Sequence, residues 1–567
     1  MDRISQLPEP IVHHILSLSG SRELVRMSVA SKTWFQLTAS FPSLDFRMDE
    51  LTKGLHVDFT IYNFTKGLHV SRQTFFKYVD YTTSRMCQQN VTAHKLTIVT
   101  NIREPAELDT VNRCLELLLK KGVTKLEINL SEFAQIFLRK TPSFAPKPKP
   151  MPTYVLPNIL LSVSVLESLI ISGCELPSSF MVDALKFKSL IRLQLEYVHI
   201  DDEMINYLTT SCPLLKEFSL SSCHGFKRFC VNGHQNLELL DIDCDSQVEM
   251  IDIETPNLLG LKVRDTAGRG PPGMKVALCK NLTSVTYIGY PLPNSNDFAD
   301  FLSKFSCAES LVLFINKKYR CNTLKLSSHS LRKLVIDSEF DLEEIELSTP
   351  NLGLFIYSNP LSFWVKAMHL PHLEACMRCH TDGSLDTLWL QKLRLFLDKK
   401  NGFKALNLYI HTKRKFIVLG KLKVNELAPY ELEHIELHFK HEESSNYAAF
   451  VDAVLLCFRP QSLTLRFPLI DFKDQSDLAK FTYEKLLEQE NQEHTNIEIV
   501  LPSSSKAQKL FRGSVLYDVL PCEEKAISFT KEKVVQEEEE AYAVQKHKKK
   551  TKKKNMKKKK KKQKKRK

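Results

Sequence analysis

Three strings in this chain carry residue types that elsewhere do chemistry. Gly268-Arg-Gly270-Pro-Pro-Gly273 has the G-x-G-x-x-G spacing of a dinucleotide-phosphate loop and follows the strand-like Leu261-x-Val263. That chemistry needs backbone N–H groups opening a helix towards the pyrophosphate, and Pro271 and Pro272 have none. The string is therefore expected to be a loop between structural elements. Cys376-Met-Arg-Cys379-His380 has the spacing of a c-type haem attachment site. Leu373 and Cys376 fall on a strand pattern, however, and a zinc site would need further ligands that the spacing does not supply. His434-Ile-Glu436-Leu-His438 does not have the H-E-x-x-H order of a metalloprotease. Strand alternation turns Ile435 and Leu437 inward and places both histidines and the glutamate on the other face. Three polar groups on one open face could hold a metal or a partner, and a solvated strand face is the more ordinary account. The chain has no phosphate-binding G-x-x-x-x-G-K-[ST], no nucleophile elbow and no pair of carboxylates set for acid–base work. The expectation is a protein without catalytic residues, metal or cofactor.

The elements that must position these residues follow one recurring signature, apolar-x-x-apolar-x-apolar. It reads Leu166/Leu169/Ile171, Leu190/Leu193/Leu195, Leu215/Phe218/Leu220, Leu237/Leu240/Ile242 and Leu258/Leu261/Val263, advancing by 24, 25, 22 and 21 residues. This lies within the roughly 20–29-residue period of leucine-rich repeats, in which each coil is one strand plus a return segment. Weaker copies follow at Leu331/Leu334/Ile336, Leu342/Ile345/Leu347, Phe403/Leu406/Leu408 and Leu432/Ile435/Leu437. An earlier one, Val123/Leu126/Ile128, follows a helical stretch from Leu108 to Lys121. Cys174, Cys223 and Cys244 stand where a strand turns inward and a small, nearly apolar side chain fits, so they are expected in the core rather than as ligands.

Composition bounds the function class. The chain has 567 residues, 43% hydrophobic and 26% charged, which is ordinary for a globular protein. Its net charge of +13 suggests nucleic acid until it is located. Residues 541–567 hold 17 Lys/Arg and no acid, leaving 62 basic residues against all 66 acidic ones in the first 540. The body is slightly acidic and the basic excess is a tail. Self-repulsion and the lack of apolar residues predict that this tail, residues 541–567, is disordered. It reads as a nuclear localisation element or a weak, nonspecific phosphate-backbone contact, since it has no interleaved aromatics for base stacking. The start, Met-Asp-Arg-Ile-Ser-Gln-Leu-Pro, has no apolar core of a secretory signal, and no apolar stretch approaches the roughly 18–20 residues of a membrane span. The 14 cysteines lack framework spacing. Reduced thiols, no membrane association and a nuclear protein, with the cytoplasm as a second compartment, are expected.

Residues 5–46 divide into three short helical patterns. Pro8 and Pro10 suit an N-terminal helical turn before the stripe Ile11, Ile15, Leu16, Leu18. Ser21 can cap a second helix carrying Leu24, Val25, Ser28 and Val29. The third carries Trp34 and Leu37 and should stop before Pro42. Some forty residues cannot bury all this apolar surface internally. The blocks Asp2-Arg3-Ile4-Ser5-x-Leu7-Pro8, Ile15-Leu16-Ser17, Val25-Arg26-x-Ser28-Val29-x-Ser31-Lys32-x-Trp34 and Pro42-Ser43-Leu44-Asp45-Phe46 resemble, in order and spacing, a plant F-box. The usual Leu-Pro after the first helix is replaced by Ser19-Gly20, and the Leu-Trp after the third by Leu37-Thr38. An F-box followed by irregular leucine-rich repeats is a familiar plant combination.

The resulting expectation is an α/β chain. An F-box (1–46) is followed by a connector (47–94) in which Thr-Lys-Gly-Leu-His-Val occurs at 52–57 and again at 65–70. A leucine-rich-repeat solenoid (95–470) carries a Pro-rich insertion at 142–152, and a C-terminal cap region (471–540) precedes the tail. The resemblance implies the substrate-recruiting subunit of a Skp–cullin–F-box ubiquitin ligase, binding a Skp-like adaptor and through it a cullin. Leu7, Pro8, Ile11, Ile15, Leu16 and Trp34 would form or support the adaptor surface. An unidentified protein target would meet the open strand face, because solenoids bind through their concave surface. Alternation places Arg192, Gln194, Glu196, Glu217, Ser219, Asp241, Asp243, Lys262, Arg264, His434, Glu436 and His438 on that face. A repeat scaffold without adaptor binding, and a nucleic-acid-associated protein acting through its tail, are the alternatives.

Overall fold

The computed structural model describes residues 7–48 apart from Gly20, 61–88, 92–130, 154–177, 187–244, 248–265, 268, 270–290, 295–316, 323–338 and 344–358. Beyond these it describes 365–367, 376–381, parts of 390–397, 404–410, 428–439, 447–466, 472–489, 495–501, 508–511 and 526–533. The Pro-rich insertion, the first Thr-Lys-Gly-Leu-His-Val and the lysine tail lie outside the described residues. The chain forms two compact units, Met1–Leu352 and Gly353–Lys567.

The first unit begins with three short helices, α1 (Glu9–Ser17), α2 (Ser21–Ala30) and α3 (Lys32–Ser40). Pro8 stands at the N-cap position of α1, its carbonyl accepting the Val12 N–H at 3.1 Å, and the Ser31 hydroxyl accepts the Trp34 N–H at 3.1 Å to start α3. Phe41 turns extended before Pro42, ending α3 where the proline's clash with a preceding α residue demands it. Val12, Leu16 and Phe41 form a small core against which Leu24, Met27, Trp34 and Leu37 pack.

A ladder of parallel strands follows: β1 (Ser43–Arg47), β2 (Lys95–Val99), β3 (Lys125–Asn129), β4 (Ser168–Ser172), β5 (Arg192–Glu196), β6 (Glu217–Ser221), β7 (Leu239–Cys244), β8 (Gly260–Asp265), β9 (Ser284–Gly289), β10 (Ser310–Ile315) and β11 (Lys333–Ser338). Each pairs in parallel with the next. The register stacks two apolar columns. One runs Leu44, Leu96, Leu126, Leu169, Leu193, Phe218, Leu240, Leu261, Val285, Leu311, Leu334, and every member is buried. The other, two residues on, runs from Phe46 through Ile98, Ile128, Ile171, Leu195, Leu220, Ile242, Val263, Tyr287 and Leu313 to Ile336, equally buried. Each such side chain contributes about 1.5–3 kcal/mol relative to exposure. The ladder thus includes β1 and β2, whose Leu44 and Leu96 stand about eighty and thirty residues before Leu126 of the first repeat read from the sequence, and two rungs at β9 and β10 that the leucine pattern passed over.

The return segments differ. Helices α4 (Ile61–Gln88), α5 (Pro105–Leu119), α6 (Asp202–Ser211) and α7 (Ser295–Ser303) serve some coils. Others return through short second-face strands, Arg228–Asn232, Met250–Glu254 and Gly273–Lys275 in one parallel set, Thr323–Ser327 and Glu344–Ser348 in another. The Leu342/Ile345/Leu347 copy is corrected accordingly: it forms the second-face strand 344–348, and its position only 11 residues after Leu331, half a period, is the reason. The second Thr-Lys-Gly-Leu-His-Val copy lies inside α4. Buried Arg72 of α4 pairs with buried Glu107 of α5 and donates to the Asn101 carbonyl at 2.9 Å. Glu107 also closes a capping box with Glu104, so one carboxylate starts α5 and fastens α4 to it.

The second unit has its own parallel run, β12 (Leu354–Ser358), β13 (Cys376–Thr381), β14 (Ala405–Ile410), β15 (Tyr430–Phe439) and β16 (Phe458–Arg466). It ends differently. Of β17 (Thr495–Leu501), β18 (Gln508–Phe511) and β19 (Ala526–Lys533), β19 runs antiparallel to both β16 and β17, and β18 antiparallel to β17. Helices α8 (Tyr447–Cys457) and α9 (Phe472–Gln489) belong to the same unit.

Candidate protein-interaction surfaces

The strings that resembled chemistry resolve first. Gly268 and Gly270 adopt φ of 69° and 94°, and their N–H groups donate to the buried Asp265 carboxylate at 3.1 and 2.9 Å. The amides a phosphate would need are bonded to an anion of the protein itself, and the segment is a loop, as its prolines require. The C-x-x-C-H string forms β13, an interior strand of the second ladder paired on both sides. His434, Glu436 and His438 gather on β15 as alternation requires. Glu436 binds the Arg466 guanidinium and approaches His438 Nε2 at 3.3 Å, while His434 Nδ1 lies 3.1 Å from the Ser462 hydroxyl. Burial would push the Glu436 carboxyl up, but Arg466 and His438 outweigh it and hold it below the usual range. Burial lowers His434, and Arg466 lowers it further against a partial pull from Glu436. Among the described residues no three His, Cys, Asp or Glu side chains gather as a metal would need.

The core assignment of the cysteines holds for Cys174 and Cys223, both buried. Burial pushes the Cys114 and Cys212 thiols up to about 12 and Cys223 and Cys457 up to about 11, which removes thiolate reactivity at neutral pH. Cys244 has a described backbone in β7 and no described side chain.

Two surfaces remain that could hold another protein. On the N-terminal helices, Leu7, Pro8 and Ile11 are exposed, Ile15 and Trp34 are half-buried, and Leu16 is wholly buried. Leu16 and Trp34 therefore support the surface from inside its core. Three further apolar residues stand in water: Leu18 at 77% exposure, Val29 at 81%, and Phe35, against whose ring the Arg85 guanidinium lies at 5.3 Å. The signal for Leu18 and Val29 was in the helical stripes, which carry more apolar positions than the small core takes in.

The second surface is the outward face of the strand ladder. Arg192 pairs with Glu217 at 3.2 Å, and Asp241 accepts both Lys262 at 3.2 Å and Arg264 at 3.0 Å. Gln194, Glu196 and Ser219 are half-buried beside them. Acidic and basic side chains are thus interleaved strand by strand and neutralise each other. Asp243 is a correction. It is only 3% exposed and accepts the Ser222 N–H at 3.3 Å, because the chain turning out of β6 folds over the end of β7. Ser172 and Ser221, in register with each other through Glu196, are buried as well.

A family profile described as FBD-associated F-box protein At5g56370, LRR repeats, matches residues 111–296, most of the first ladder. F-box protein At3g59000 of Arabidopsis thaliana is 23% identical over 276 residues, 49% of this chain and 51% of that protein. Putative F-box/LRR-repeat protein At3g58880 is 22% identical over 326 residues, covering 56% of this chain and 60% of that protein. F-box/LRR-repeat protein At4g14103 is 24% identical over 390 residues, 66% of this chain and 90% of that protein; both are from the same plant. The chain is similar to plant F-box/leucine-rich-repeat proteins over about half to two thirds of its length. It spans about half to three fifths of the length of the first two relatives.

Beside the strand ladder, a further set of residues recurs from coil to coil that the leucine signature alone did not single out. Asn236, Asn257 and Asn351 each donate a side-chain N–H to a carbonyl one coil earlier, that of Pro213, Gln235 and His329, at 2.8, 2.7 and 2.6 Å. Asn281 donates to the Asn257 side-chain oxygen at 3.3 Å. Each precedes a leucine of the core, so a recurring Asn-Leu pair at 236, 257, 281 and 351 was the legible sign of it.

Proposed function

We propose that this chain is the target-recruiting subunit of a Skp–cullin–F-box ubiquitin ligase, holding a Skp-like adaptor with α1–α3 and a target protein with the outward face of its strand ladder. The observation that carries this reading is the set Leu7, Ile11, Leu18, Val29 and Phe35, apolar and exposed on a helical unit whose own core is already closed by Val12, Leu16 and Phe41. Covering a side chain of this kind contributes on the order of 1.5–3 kcal/mol, ample reason for such a unit to be partnered. The similarity to proteins named F-box and F-box/LRR-repeat supports the same reading. The chain's contribution is then proximity and orientation of the target, with the bond-making done by other subunits. The basic tail would serve nuclear entry.

Co-expression with a plant Skp-like adaptor tests the proposal by size exclusion. The wild type is expected to elute as one complex, and Leu7→Ala/Ile11→Ala/Leu18→Ala to elute alone with unchanged circular dichroism, since none of the three is buried. A folded wild type that elutes without adaptor overturns the ligase reading.

A further inference from the structure

Beyond the ends of β5 and β6, adjacent coils bring two imidazoles together. His199 and His224 face each other across an isolated parallel bridge, fixed by the Ile200 N–H to the His224 carbonyl at 2.9 Å and the His224 N–H to the Val198 carbonyl at 3.2 Å. Both residues are exposed, and their ring centroids lie 5.2 Å apart with planes at 87°. The backbone leading to each ring is held in an unusual shape. Tyr197 and Ser222, the residues just after β5 and β6, have φ of 53° and 51°, a left-handed conformation that side chains other than glycine seldom adopt. Gly225, at φ +110°, completes the arrangement, since a Cβ there would stand 2.9 Å from His199 Nε2. Only glycine leaves that nitrogen its place, while the left-handed residue recurs just after β4 at Gly173, φ 70°, so it is the turn by which these coils leave the front strand and it sets His199 and His224 at equivalent positions of adjacent coils.

The ring spacing, ordinary for an edge-to-face pair, also matches two ligands of one shared ion. Neutral imidazole is the usual nitrogen donor for borderline divalent ions. A zinc–nitrogen bond of about 2.0–2.1 Å, with the ring centre about 1.1 Å behind the nitrogen, sets each centroid roughly 3.2 Å from the ion, so two rings at the tetrahedral angle stand about 5.2 Å apart.

We propose that His199 and His224 form a two-imidazole site for a borderline divalent transition metal, of which Zn2+ is the probe of choice. Two protein ligands leave the remaining positions to water, so this is an exchangeable site and not a closed structural one. Because the ligands come from successive coils, the ion would clamp one coil to the next.

The chain has 18 histidines and 14 cysteines, so the test must read individual residues. Full-length protein is treated with diethyl pyrocarbonate with and without Zn2+, and modification is mapped by peptide mass spectrometry. His199 and His224 are expected to be protected together, with reactivity restored by EDTA. In His224→Asn, checked for native circular dichroism, the protection of His199 is expected to disappear. Unchanged modification of both rings at saturating Zn2+ overturns the proposal, as does protection of His199 that survives His224→Asn. The wild-type comparison decides the matter even if the variant misfolds.

Discussion

The outward faces of β7–β8 in the first unit and β15–β16 in the second share one strand pattern, apolar inside and charged outside, yet they treat their charges differently. Asp241, Lys262 and Arg264 pair at 3.0–3.2 Å near the surface, where water screens them. Glu436, at 15% side-chain exposure, sits among His434, His438 and Arg466 deeply enough for its carboxyl and the His434 imidazole to shift from their ordinary values. Alternation decides which face a residue takes, but the depth of that face is set by what neighbouring strands bring to it. Arg466, thirty residues on in β16, lowers both groups, and no pattern within β15 announces it.

The largest effect that sharpens this contrast comes from a third pair, buried outright. Arg72→Ala leaves Glu107 charged, buried and without its guanidinium, and is expected to cost about 3–5 kcal/mol. Hydrogen exchange resolved by peptide should show faster exchange in α4 and α5 while β14–β16 keep their protection. Equal loss in both units would mean that the effect of the pair is not confined to the first.

A smaller effect should follow acidification of the second unit. The folded pKa of His434 is depressed below its unfolded value, so its neutral form contributes stability above about pH 6.5 that is lost as pH falls through the folded value. Glu436 is also depressed, and its contribution is lost as pH falls from the unfolded carboxylate value through its lower folded one. Both slopes have the same sign. Between pH 7 and pH 4 the strands β15 and β16 should lose exchange protection faster than β7 and β8, and His434→Gln should flatten the part of that loss above pH 5. A loss identical in the variant would remove His434 from the account. The smallest effect is expected at the surface triad. Asp241→Asn should change stability by less than about 1 kcal/mol in a denaturant melt, since Asp241 and Arg264 are half-buried and keep 26% and 28% of their side-chain surface in water, which screens the pair; a larger loss would place it with the buried pairs.

The core of the ladder was legible because burial in a parallel sheet imposes a period on residue type. Leu169, Leu193 and Leu240 announced their rungs, and the structure buries each of them. Tyr287 hid its rung because its ring is accommodated at full burial only by donating its hydroxyl to the Tyr290 carbonyl at 2.7 Å, a tertiary condition absent from any leucine pattern. Glu344–Ser348 read as a front strand because second-face strands obey the same alternation. At the surfaces, the unmatched apolar stripe of α1 and α2 could be read directly. The closure over Asp243 could not, since it depends on the path of the chain after β6.

The antiparallel strands of the second unit bear on how many molecules the protein forms. Parallel strands joined by return segments have no intrinsic last member, and an open final strand offers its backbone to the next strand that arrives, including one from another copy. β19 reverses direction and takes the free edge of β16 for itself, with hydroxyls of Thr464 and Ser528 meeting at 2.8 Å across the seam. The edge passes through β17 to β18, a strand of only four residues, which offers little backbone for another copy to join.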